Sequence, residues 1–198
     1  MGTDLPSIDT FPSVSVSEFM RHPNMVGSAF PATKRMVRRL LNRIDWPAVE
    51  VLVEYGPGTG RFTAAALAKL TRRATLIAIE TGEDFVEHLR SSLGDDDRFS
   101  VVQGSAADVL PILKDHGLDH VDCIISGLPF STLSAGDAEQ IVSASATALH
   151  PSGTFAAYQM RTVVEPLLRR HFSKFTQAYE WWNIPPCHLY WAKAPIER

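Results

Sequence analysis

Two acidic residues and three glycines carry the most legible chemistry in this chain. Glu54 closes the apolar run Val51-Leu52-Val53, and Gly56, Gly58 and Gly60 follow at alternate positions before an amphipathic segment begins at Phe62. Glycine lets the backbone take positive φ and approach a ligand closely. A carboxylate at the end of a buried parallel strand stands where open α/β sheets bind ligands. About twenty residues further on, Glu80 ends a second apolar run, Thr75-Leu76-Ile77-Ala78-Ile79. A carboxylate there can accept both hydroxyls of a ribose. The spacing is not that of the dinucleotide fingerprint, which would need glycine at 61, where Arg61 stands. A ligand-free glycine turn beside a surface glutamate is the plain alternative.

Holding these residues requires strands that alternate with helices. Apolar runs predict strands at 51–55, 75–80, 99–103, 121–125 and 154–158. Apolar residues at helical spacing predict helices between them. A first helix over 33–43 carries the stripe Val37, Leu40, Leu41 and Ile44. Thr81 with Asp84 forms a predicted capping box, Asp108 a predicted cap, and Ser134 with Asp137 another. The segment 150–153 reads as a turn. Two closing strands, near 178–182 and 188–192, are joined by Ile184-Pro185-Pro186 and must run antiparallel. The fold class is therefore α/β: a Rossmann-like, seven-stranded, mostly parallel sheet with helices on both faces and a C-terminal antiparallel strand pair. Trp181, Trp182, Tyr190 and Trp191 read as core and edge packing of the last strands.

At 198 residues the chain suits one domain, read as 17–198 behind a flexible Pro/Ser/Thr-rich arm at 1–16. No run is apolar enough to span a membrane, and the first residues do not read as a signal peptide. A net charge of −3 argues against coating nucleic acid. Arg21, Lys34, Arg35, Arg38, Arg39 and Arg43 nevertheless fall in a stretch without acids, from 21 to 44. That stretch is either a solvated helix face or a surface for anionic partners. His116 and His120 are separated by Gly117, and no His/Cys spacing points to metal. A disulfide between Cys123 and Cys187 is not expected.

Glu54-x-Gly56-x-Gly58-x-Gly60 resembles motif I of the class I S-adenosylmethionine-dependent methyltransferases. The resemblance implies S-adenosylmethionine as cofactor, held by Glu54, Gly56, Gly58, Gly60, Glu80, Ser105, Ala106 and Ser126. Ser105 stands where those enzymes often carry an aspartate for the adenine amine. Ser126-Gly127-Leu128-Pro129-Phe130 is similar to the Asn-Leu-Pro-Tyr motif of the ribosomal RNA adenine dimethylases, except that Gly127 lacks the amide. Together with the segment 27–36 and Asn183-Ile184-Pro185-Pro186, it resembles the bacterial phospholipid N-methyltransferases, over the chain from about residue 17 onward. These relatives methylate phosphatidylethanolamine stepwise.

The resemblance implies a phospholipid substrate, an anionic membrane surface met by the basic N-terminal region, and a cytoplasmic protein at the inner membrane face. It implies no nucleic acid partner, and no obligate protein partner is evident. The amine must lose a proton before it attacks. Tyr158 and the carbonyls around Ser126 and Gly127 are candidates to assist. Phe130 is expected against the substrate, and Arg161, Lys34 or Arg35 against a lipid phosphate. An adenine methyltransferase, a small-molecule methyltransferase and a cofactor-binding module without transfer remain open.

Overall fold

The computed structural model describes residues 32–196. The expected arm at 1–16 and the basic Arg21 lie outside the described residues. Helix α1 spans Lys34–Leu41, capped by Thr33, whose side chain accepts from the Met36 N–H at 3.2 Å. Then follow β1 (Val51–Tyr55), α2 (Arg61–Leu67), β2 (Thr75–Glu80), α3 (Glu83–Leu93), β3 (Phe99–Gln103) and α4 (Val109–Asp115). The second half holds β4 (Val121–Ser126), α5 (Ala135–Ala148), β5 (Leu149–Gln159), α6 (Val164–His171), β6 (Phe172–Glu180) and β7 (Cys187–Pro195).

The strands form one sheet in the order β3-β2-β1-β4-β5-β7-β6. β1 to β5 are parallel, and β7 runs antiparallel between β5 and β6. This is the expected seven-stranded arrangement with its closing antiparallel pair. Alternate strand residues feed opposite faces, as the two-residue side-chain period demands. Val51, Val53 and Tyr55 pack with α4, α5 and α6. Leu52, Leu76 and Ala78 pack with α1 and α2. Each fully buried leucine or isoleucine, such as Leu40, Leu52 or Ile77, contributes about 2 kcal/mol.

Several local expectations need correction. Gly82, without a side-chain bond, caps α3, so Thr81 and Asp84 do not form the capping box there. Thr81 Oγ1 instead turns toward Glu80 Oε1, 3.5 Å away. Asp108 precedes α4 but makes no side-chain cap bond. Ser134 does cap α5, accepting from the Asp137 N–H at 3.1 Å. The segment 150–153 is no turn but part of β5: its register against β4 jumps from Val121↔Leu149 to Cys123↔Thr154, a bulge. β6 begins at Phe172 and ends at Glu180, so Trp181 and Trp182 leave the sheet, 72% and 73% exposed. Tyr190 and Trp191 are buried as expected.

Candidate functional site

The register lines up the carboxyl ends of four strands. Tyr55 lies between Ile79 of β2 and Ser126 of β4, and Ser126 lies beside Ala157 of β5. The connections reverse direction between β1 and β4, which opens a crevice at that switch point. The Gly56 N–H donates to the Ile79 carbonyl and the Gly127 N–H to the Tyr55 carbonyl, both at 2.9 Å. The loops after β1 and β4 therefore leave the sheet side by side. Gly56, Gly58 and Gly60 all have positive φ, between 53° and 76°.

Glu80 is buried and organises the glycine loop. Its Oε2 accepts from the Gly58 N–H at 3.1 Å, and its Oε1 accepts from Thr81 at 2.8 Å and Gly82 at 3.0 Å. Those backbone bonds leave lone-pair capacity on a carboxylate. Glu54 differs. It is 2% exposed, and its Oε2 has no hydrogen-bond partner, nor has the buried Thr63 Oγ1. Burial pushes the Glu54 carboxyl up to about 8; the nearby Thr63 hydroxyl opposes this, and the Glu80 charge adds to it. A buried carboxyl with one oxygen unpartnered, beside a glycine loop, suits a ligand that brings positive charge.

Ser105 follows β3 and accepts from the Ala107 N–H at 3.2 Å, which caps a short turn at Ala106–Asp108. Its O–H and a second lone pair remain for another group. Ala106 is buried in the core. Ser126 is fully buried, and its Oγ accepts from the Leu128 N–H at 3.4 Å.

Beyond Gly127 lies a pocket whose walls include Leu128, Tyr158, Gln159, Met160 and Asn183, with Met36 and Cys187 also lining it. No charged side chain is among its described lining residues. The Tyr158 ring stacks on Phe62, with centroids 4.6 Å apart and planes 16° apart. Burial, then the charges around Glu54, Cys187 and Glu80, push the Tyr158 hydroxyl far above its ordinary range. Tyr158 is therefore a neutral phenol at physiological pH, able to accept or donate a hydrogen bond but not to serve as a phenolate base. A Cβ on Gly127 would overlap Tyr158 Oη and lie 2.9 Å from the Gly56 carbonyl oxygen. Two acceptor oxygens thus converge where the dimethylase motif carries its amide side chain.

The expected substrate residues disperse. Phe130 is 1% exposed and packs in the core with Tyr55 and Phe155, so it does not reach the pocket as a stacking ring. Lys34 and Arg161 are exposed and outside the pocket lining. Arg35 is drawn to Glu180: its Nε lies 3.3 Å from Glu180 Oε1, while Arg39 Nη1 lies 3.0 Å from Oε2. The Glu180 side chain is fully buried. Burial pushes its carboxyl up, but hydrogen bonds from Arg39 and the Trp182 N–H, with the charges of both arginines, hold it below the usual range.

Gln159 is the contributor that the sequence did not disclose. Its Nε2 donates to the Leu128 carbonyl at 2.6 Å, and the Phe130 N–H donates to its Oε1 at 3.3 Å. One amide thus clamps both ends of the loop that follows Gly127. Only its place beside Tyr158 at the end of a strand hinted at this. Gln159→Leu removes both bonds and leaves the Leu128 carbonyl and the Phe130 N–H only their mutual bond of 3.0 Å, at a cost of about 1–3 kcal/mol for the two hydrogen bonds lost. Turnover is expected to fall at least about tenfold, because loosened positioning lowers rate steeply. Denaturant melts and initial rates on the same preparation check both.

Among the described residues, no group of three or more His, Cys, Asp or Glu side chains could hold a metal ion, and no helix is long and apolar enough to cross a membrane. Cys123 and Cys187 are buried and free. The Cys187 thiol donates to Met36 Sδ at 3.0 Å.

Residues 52–153 match the family model described as a methyltransferase domain. The chain is 28% identical over 183 residues to an ornithine lipid N-methyltransferase from Singulisphaera acidiphila, covering 92% of this chain and 95% of that protein. Among solved structures it resembles the N-methyltransferase NodS from Bradyrhizobium japonicum in complex with S-adenosyl-L-homocysteine, with a TM-score of 0.70, 14% identity, and 92% and 100% of the two chains covered. It also resembles a precorrin-6y C5,15-methyltransferase from Geobacter metallireducens, with a TM-score of 0.62, 15% identity, and 83% and 94% covered.

Proposed function

The chain belongs to the methyltransferase-domain family, and from that premise we propose that it moves methyl groups to the amine of a membrane lipid. The cofactor is S-adenosylmethionine. The described residues fit it: a positive-φ glycine loop, a buried carboxylate at Glu80 with acceptor capacity, and the unpartnered Glu54 Oε2. Gly56, Gly58 and Gly60 would pass beneath it, Glu80 would take the ribose hydroxyls, Ser105 and Ala106 would meet the adenine, and Glu54 would face positive charge. When bound, it supplies an electrophilic methyl on a sulfonium.

The observation that carries the acceptor reading is that no charged side chain is among the described residues lining the pocket beside Gly127. An amine attacks only as the free base, and no carboxylate among the described lining residues pairs with it as ammonium. The Tyr158 hydroxyl and the Gly56 carbonyl can accept its N–H bonds and so aim the lone pair. Ser126, buried beneath, braces Leu128. Little else is needed from the chain, because positioning accounts for most of the acceleration of such a transfer. The full-length similarity to an ornithine lipid N-methyltransferase supports a lipid as the bearer of the amine. That similarity makes ornithine lipid the first candidate acceptor. Phosphatidylethanolamine is the second reading, favoured only if Arg161, Lys34 or Arg35 reaches its phosphate.

The test is transfer of labelled methyl to ornithine lipid and to phosphatidylethanolamine, side by side in anionic mixed vesicles, with products separated by methyl number. Label in ornithine lipid alone supports ornithine lipid as the acceptor. Label in phosphatidylethanolamine alone reverses the preference. Label in neither overturns the lipid acceptor.

A further inference from the structure

The loop between β6 and β7 carries the three most exposed large apolar side chains among the described residues. Trp181, Trp182 and Ile184 are 72%, 73% and 80% exposed. The loop is also a wall of the acceptor pocket, through Asn183 and Pro185. Met160, 44% exposed, borders the same pocket from the end of β5. The register explains the meeting: Gln159 pairs with His188, and Glu180 with Cys187, so both loops leave the same end of the sheet.

This apolar tip is held out rather than left loose. The Trp182 N–H donates to Glu180 Oε1 at 3.1 Å, and Asn183 Nδ2 donates to the Pro185 carbonyl at 2.9 Å. The Thr33 N–H donates to Asn183 Oδ1 at 3.0 Å, tying the start of α1 to the loop. Trp181 packs edge-on against Tyr179, 4.4 Å between centroids. Glu180 also binds Arg35 and Arg39. The tip therefore sits beside the face of α1 that bears Lys34, Arg35, Arg38 and Arg39, and α1 itself has no acid. Glu180 is the acid paired there, and it is buried beneath the arginines.

We propose that Trp181, Trp182 and Ile184 enter the interfacial layer of an anionic lipid bilayer and seat the mouth of the acceptor pocket at head-group depth. Indole is the side chain best suited to that layer, apolar in body with one N–H. Cations flanking an apolar tip match an anionic lipid surface better than they match a protein groove. The inference deepens the lipid-amine reading and rests on it for the substrate alone; the binding surface is argued from exposure and charge.

The experiment uses the full chain with vesicles of phosphatidylcholine, with and without phosphatidylglycerol. Binding is read by co-sedimentation, and tryptophan depth by quenching with brominated lipids. The wild type is expected to bind the anionic vesicles and to be quenched by lipids brominated near the head group. Trp181→Ser/Trp182→Ser is expected to lose at least about tenfold in vesicle affinity while retaining cofactor affinity by calorimetry. Unchanged binding by that variant, or absence of quenching in the wild type, overturns the proposal. So does a wild-type dimer in vesicle-free solution that the double variant dissolves, since the tip would then belong to a second copy. The wild-type quenching stands even if the variant misfolds. Vesicle binding through the tryptophans with no lipid methylated would keep this surface and overturn only the lipid acceptor.

Discussion

Glu54→Gln is expected to give a chain more stable than wild type at pH 8 and much poorer at holding cofactor. The folded Glu54 carboxyl titrates at about 8 against an ordinary value of 4.5. Between those values the folded chain keeps a proton that the unfolded chain has released, so stability falls as pH rises through that window. The full effect at pH 8 is on the order of 4 kcal/mol. Glutamine has nearly the same shape without the charge, and the nearby Thr63 hydroxyl can meet its amide. Urea melts from pH 5 to 8.5 should show the wild-type midpoint falling and the variant's midpoint falling far less. Parallel curves would remove Glu54 as the source.

The same carboxyl predicts how the cofactor binds. A ligand bearing positive charge favours the ionised form, so binding near pH 7 should release close to one proton, and affinity should rise with pH up to about 8. Calorimetry in buffers of different ionisation heat counts the protons. In Glu54→Gln the release should vanish, and affinity should fall by about 10²-fold, the scale of a charged hydrogen bond left unmade. Equal proton release in both chains would assign it elsewhere.

Gly127→Ala is expected to lower methyl transfer by about 10²-fold with little change in cofactor affinity. The new Cβ would overlap Tyr158 Oη and sit 3.0 Å from Tyr158 Cζ and 2.9 Å from the Gly56 carbonyl oxygen. Either the ring or the loop must move, and overpacking of this kind costs about 1–3 kcal/mol. A displacement of about 1 Å at the reacting amine is enough for a hundredfold loss. Tyr158→Phe alone removes one acceptor and should cost less. In the double variant the worst overlap is gone, so the losses should combine to less than their product. Rates for the four chains, wild type included, decide this, and a fully multiplicative result would separate Gly127 from Tyr158.

The pairing also explains a departure that sequence comparison could only register. Gly127 lacks the amide of the dimethylase motif, and no neighbouring residue in the chain accounts for it. In the fold the place is already taken by Tyr158 Oη. Asparagine cannot stand there, and the hydroxyl can hold an amine in its stead. The aromatic Phe130, at the end of the same motif, turns inward to the core instead.

What the sequence determined by itself is what depends on neighbours along the chain. Apolar runs, helical spacing and glycines at 56, 58 and 60 dictated five parallel strands, the loop after β1 and the two acids at strand ends. The departures from that pattern are local as well: 150–153 is a bulge within β5 rather than a turn, and β6 ends at Glu180, before Trp181. Tertiary structure alone decided the rest. β7 enters between β5 and β6, which brings Glu180 against Arg39, 141 positions away, and converts an apparently free cationic face into a partly paired one. It also decided that Glu54 Oε2 lacks a partner, that Gln159 clamps the loop after Gly127, and that Trp181 and Trp182 face outward. Side-chain periodicity tells which residues share a face of a strand. It does not tell what stands beyond the strand's end, where this site is built.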